Sequence, residues 1–243
     1  MEFNVSELDR KKWAEFHSPE YVGTQIQVKR MMQAGLIKAI DELMELNASN
    51  DEKIKQLQTK LNNIQTLGEA QAIKEAIAKY DKLTLLSNKV CEIYLVLLDI
   101  NAYGTYCLLA DDEWEWRAFA RHLYTILYEH ISSVNKHINE IIKILKAGVE
   151  DCYSIERLLS AKKEYSKYIN YNSLFAKQIR VNVDAHFDSA FAERLRLIKE
   201  LSYSEVLELL YTYNSKMQNF MHELRPALEN FRLTVDVAYN EIR

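Results

Sequence analysis

Nine apolar residues, Trp116, Ala120, Leu123, Leu127, Ile131, Val134, Ile138, Ile141 and Leu145, recur at spacings of three or four along one unbroken stretch. An α-helix turns about 100° per residue, so this spacing lines one face of one long helix, whereas a strand would need alternation with a period of two. A helix of that length needs other apolar helix faces to cover it. The chain has few residues with which to make turns: 5 Gly and 2 Pro in 243 residues. All-β folds need turn signals every 8–12 residues or so, and these are missing. The expected fold is all-α, an elongated up-down bundle of several helices carrying a projecting polar helical hairpin.

The other segments fit that frame. After Pro19 a stripe of Val22, Ile26, Met32, Leu36, Ile40 and Leu43 predicts a helix that stops in Asn47-Ala48-Ser49-Asn50. Ser49 followed by Glu52 is a capping box and predicts a new start there. Ile54, Leu57, Leu61 and Ile64 continue it, and Gly68 suggests the turn of an antiparallel hairpin spanning about 50–82. Residues 83–110 are the most apolar and are expected in the core. Asp111-Asp112-Glu113 suits the positive N-terminal end of the helix with the long seam, and Gly148 is placed as its C-terminal cap. Helices are expected over about 152–169 and 172–187, and from just after Ser189 to Leu201. Another opens at the capping box Ser202/Glu205, with a break near Pro226. The organisation read from this is 1–109, N-terminal helices with the hairpin, and 110–243, a second helical bundle packed with the first part as one body.

A formal charge of −4 and a pI near 5.9 give no global attraction for phosphate backbones or anionic lipid. Local basic clusters exist at Lys162-Lys163 with Lys167, and at Arg194, Arg196 and Lys199, a pattern that solvated helix faces share. Cys91, Cys107 and Cys152 lie far apart among apolar neighbours, without a CxxC pair, and read as buried free thiols. The first residues lack the apolar core of a secretory signal and no apolar run approaches about 18 residues. A cytoplasmic protein with no membrane partner is the expectation.

Phosphate loops, GxGxxG, HExxH and GxSxG are absent. His130 and His137, seven apart, share a helix face, with Glu140 three residues further on; packing accounts for them more simply than a metal does. Neither a metal nor a cofactor is expected. Tyr165, Tyr168 and Tyr171 have the spacing of a base-stacking face or, more simply, of helix packing. Two Arg–His pairs stand close in the sequence: Arg117 with His122, five residues apart, and Arg180 with His186, six apart.

The second pair sits in Ile179-Arg180-Val181-Asn182-Val183-Asp184-Ala185-His186-Phe187-Asp188. An aliphatic residue precedes the Arg, an Asn stands two after it, and Ala185-His186-Phe187-Asp188 closes the segment. In these features it resembles the R-x(4–6)-H motif of the HEPN superfamily, all-helical proteins that include ribonucleases and toxin or phage-defence components. The family's polar residue directly after the Arg is Val181 here. The resemblance covers about 110–225. It implies a homodimer that cleaves RNA without a metal, or binds it, with Arg180, His186 and Asn182 as the catalytic set. Six residues of helix would place Arg180 and His186 about 120° apart, so a two-fold interface would be needed to bring one motif from each copy together. The packing alternative pairs Arg180 with Asp184 at i,i+4 and continues the line of Ile179 and Val183 through His186. On that alternative the protein is a non-catalytic helical interaction module, binding a protein partner through the hairpin and the 116–145 seam.

Overall fold

The computed structural model describes residues 7–64, 66–149, 151–179 and 191–242. Among them 93% are helical and no strand occurs. Seven helices follow in order: α1 (Glu7–Phe16), α2 (Pro19–Leu61), α3 (Leu67–Leu109), α4 (Glu113–Gly148), α5 (Cys152–Ile179), α6 (Phe191–Lys199) and α7 (Tyr203–Ile242). They pack as a helical bundle, as the periodicity requires. No helix among the described residues is long and apolar enough to cross a membrane.

The contacts divide into two compact units. The first holds Met1–Leu36, Leu95–Val134 and Glu164–Met217; the second holds Ile37–Tyr94, Asn135–Lys163 and Gln218–Arg243. In the first, Trp116, Leu123, Tyr165 and Tyr213 are among the buried side chains. Short α1 is held there by Trp13, whose ring stands edge-on to Trp116 at 6.2 Å and to Tyr203 at 5.2 Å. In the second, Ile73, Tyr80, Leu86, Ile138 and Phe220 are buried. Each such side chain withdrawn from water contributes roughly 1.5–3 kcal/mol.

The 116–145 seam lies inside the fold. Of its members only Ile131 keeps partial exposure. The seam is therefore covered by the chain's own helices and leaves no apolar stripe for a partner. α4 begins as its acidic residues suggest: Asp112 Oδ1 accepts the Glu115 N–H at 2.9 Å, and Glu115 Oε2 accepts the Asp111 N–H at 2.7 Å. Two orphan donors at the helix start are thereby satisfied. Its other end differs from expectation. Gly148 is the last helical residue, and among the described residues no glycine has positive φ. A Cβ there would lie 2.3 Å from Cε2 of Phe231, so the glycine serves close packing and not a left-handed cap.

The hairpin forms, with arms of 43 residues each. Asn47 Nδ2 donates to Asn88 Oδ1 at 2.8 Å and Asn50 Nδ2 to Thr84 Oγ1 at 3.3 Å, one position rising as the other falls, which marks antiparallel arms. α2 runs through the polar 47–50 stretch without stopping, because Asn50 is buried against Thr84 and Lys53 pairs with Asp236 at 2.8 Å. The turn falls after Leu61, at Asn62-Asn63, and not at Gly68, which lies in the first turn of α3. Thr66 Oγ1 donates to Glu69 Oε2 at 2.7 Å at the start of α3. Near the turn the arms carry α7: Tyr80 donates to Asp236 at 3.0 Å and Tyr239 to Gln56 at 2.7 Å. The Lys53 ammonium sits over the Tyr80 and Tyr239 rings at 5.2 and 5.7 Å. α5 is one helix where two were expected, and α7 passes through Pro226.

Candidate functional site

The residues that the motif singles out, Arg180, Asn182 and His186, lie outside the described residues, as do Val181, Val183, Asp184, Ala185, Phe187 and Asp188. The helix before them, α5, reaches Ile179; the helix after them, α6, begins at Phe191. Both flanking ends belong to the first unit.

α6 is only nine residues long and would be marginal alone. It is fixed by Arg117. The guanidinium is 3% exposed, and its Nη1 donates to the carbonyls of Ile198 at 2.6 Å, Lys199 at 3.2 Å and Leu201 at 2.9 Å. Its Nε and Nη2 donate to Glu113 Oε1 at 3.2 and 2.7 Å. A cation on the last carbonyls of a helix satisfies acceptors that have no helical donor and opposes the negative end of the dipole. The planar fork makes all five contacts at once, as an ammonium could not. Arg117 is thus committed to holding α6, and His122, five residues on, is exposed with its ring 6.0 Å from Tyr103. Of the two Arg–His pairs, this one is built for packing.

The tyrosines divide in the same way. Tyr165 is fully buried and cannot stack a base. Tyr168 donates its hydroxyl to the Leu209 carbonyl at 2.6 Å, tying α5 to α7 within the first unit. Burial raises both phenols above their usual range. Among the basic residues near the motif, Lys167 pairs with Glu164 at 2.9 Å and Arg196 pairs with Glu200. These pairs are exposed and screened by solvent, so they contribute little. In the second unit His137 Nε2 meets Glu92 Oε2 at 2.8 Å. Among the described residues no group of three or more His, Cys, Asp or Glu could hold a metal ion. The three cysteines form no disulfide, yet only Cys107 is buried; Cys91 is half-buried and Cys152 exposed.

One chemically unusual group escaped the sequence. Lys29 of α2 is 4% exposed, with no hydrogen bond or ion pair to any described residue. Desolvation lowers its pKa from 10.5 to about 8, against a smaller opposing influence from the nearby Cys107. Burial pushes the Cys107 thiol up to about 12. The pair is therefore an amine partly neutral near pH 8 beside an inert thiol. The signal was present: Lys29 falls at i+3 from Ile26 and i+7 from Val22, on the apolar line of its helix.

Compared with known proteins, the chain matches no family model, no curated protein and no solved structure.

Proposed function

We propose that the protein is a HEPN-like, metal-independent endoribonuclease of the toxin or phage-defence type, acting as a homodimer in the cytoplasm. The observation that carries this reading is the segment Arg180 to Asp188, with Asn182 and the Ala185-His186-Phe187-Asp188 close, in an all-helical chain. It gains weight because the competing pair Arg117–His122 is consumed by the anchoring of α6.

In the proposed reaction His186, the side chain whose proton exchanges near neutral pH, takes the proton of a ribose 2′-hydroxyl. The 2′-oxygen attacks the adjacent phosphorus and the bond to the 5′-oxygen of the next nucleotide breaks. The products are a 2′,3′-cyclic phosphate and a 5′-hydroxyl. The leaving oxygen takes a proton from the imidazolium of the same or the partner copy. Arg180 grips the phosphate through its bidentate fork and offsets the charge that builds on it. Asn182 orients one of these two groups.

The test is cleavage of single-stranded RNA by the purified chain in the presence of EDTA. His186→Ala and Arg180→Ala should abolish cleavage with helical content unchanged, and His122→Ala should leave it intact. Cleavage that survives His186→Ala would remove the assignment.

A further inference from the structure

Along the outer line of α3 within the first unit three large apolar side chains stand exposed. Leu95 is 53% exposed, Tyr106 49% and Leu109 50%, and steps of eleven and fourteen residues return to one helix face. Tyr106 extends this line onto α4, with its ring 5.4 Å from that of Phe119. Single exposed apolar residues are ordinary, but Tyr106 and Leu109 with the adjoining rings form a patch, and Leu95 stands on the same line beyond Asp99. The line covers about 21 Å of helix axis, a length that another helix of about four turns would match.

Charge indicates the occupant. Residues 95–134 hold six carboxylates and two guanidinium groups, with no lysine. Arg117 is the buried anchor of α6 and does not reach this surface. Asp99 falls one turn after Leu95 on the apolar line, and Glu115 falls one turn before Phe119 on α4. A second copy would bring the same carboxylates against these, and the phosphates of a nucleic acid would be repelled by them.

We infer that this α3–α4 face docks a basic amphipathic helix of a partner protein, its apolar side seated on Leu95, Tyr106 and Leu109 and its Lys or Arg residues meeting Asp99 and Glu115. This is helix-in-groove recognition with acidic flanks, which sets orientation and association rate while the apolar anchors hold the complex. It is independent of the chemistry at Arg180 and His186.

The probe is a fluorescent model helix of about 15 residues with leucines on one face and lysines on the other. Its controls are the same peptide with glutamates in place of lysines, and an oligouridylate. The full chain should bind the Leu/Lys helix, more weakly as salt rises, and neither control. Tyr106→Ala combined with Leu109→Ala should weaken binding at least tenfold, and Asp99→Asn should flatten the salt dependence. If the double variant melts early, Leu109→Ala alone, at a half-exposed position, should still weaken binding several-fold. Leu233→Ala with Val237→Ala, an exposed apolar pair on α7, should change nothing. Absence of binding to the wild type overturns the inference. So does equal binding of the Leu/Glu helix, unchanged affinity in the Leu109 variants, or an oligouridylate that competes for this face.

Discussion

A Cβ added at Gly104 of α3 would stand 2.7 Å from Nζ of Lys29 and 2.6 Å from Cδ2 of Leu210. The buried ammonium is packed directly on helix backbone, one turn from Cys107, with no carboxylate among the described residues paired with it. Burying a charge without a partner is unfavourable, and the lowered pKa of the amine expresses that penalty.

Lys29→Met should accordingly stabilise the fold. The folded-state value of about 8 lies below the ordinary 10.5. Between those two values the unfolded chain binds more protons, so the contribution of Lys29 makes stability rise with pH across that window. Below about pH 8 the full penalty applies, on the order of 3 kcal/mol. Cys107 acts oppositely above pH 9, since its folded-state value is raised. Urea melts of wild type and Lys29→Met, subtracted at each pH, isolate the lysine: the gain should be largest near pH 7 and shrink toward pH 10. A gain independent of pH would refute the assignment.

Two glycines should respond to alanine with opposite signs. At Gly148 a Cβ would press on the rigid ring of Phe231, with Cε2 at 2.3 Å and Cδ2 at 2.8 Å. Overpacking of that kind costs roughly 1–3 kcal/mol. At Gly35, mid-helix in α2, nothing lies within 4 Å. Alanine there should stabilise by about 0.5–1 kcal/mol, because it loses less conformational freedom on folding. Thermal melts of the two variants decide it.

Removing the Arg117 guanidinium should loosen α6. Arg117→Ala removes the guanidinium donor from the carbonyls of Ile198, Lys199 and Leu201 and leaves Glu113 without its partner, and the expected loss is about 3 kcal/mol. Arg117→Lys should recover little of it, since one ammonium cannot reproduce the fork. Amide hydrogen exchange over residues 195–201 should speed up in both variants. Unchanged exchange there would show that α6 is held by other contacts.

The local and periodic signals in the sequence proved easiest to read. The seam on α4 and the capping residues Asp112 and Ser202 are local chemistry that no tertiary contact overrides. The expected start at Ser49 failed for the opposite reason: Asn50 and Lys53 find partners on α3 and α7, and those contacts carry the helix through a weak stretch. Gly148 was legible as special but for the wrong cause, because a glycine's close neighbour lies 83 residues away and a turn lies next door. Lys29 was hidden in plain view as one charge among many, distinguishable only by its place on an apolar line. The motif at Arg180, Asn182 and His186 is legible from sequence alone, since those residues lie outside the described structure.

The end groups of cut RNA report which atom attacked the phosphorus. The full chain is incubated with single-stranded RNA in EDTA, and the fragments are resolved by the groups at their new ends. A 2′-hydroxyl activated by His186 must leave 2′,3′-cyclic phosphate and 5′-hydroxyl termini, absent from the His186→Ala sample. Intact RNA with the wild type, or fragments ending in 3′-hydroxyl and 5′-phosphate, would remove His186 and Arg180 from this chemistry.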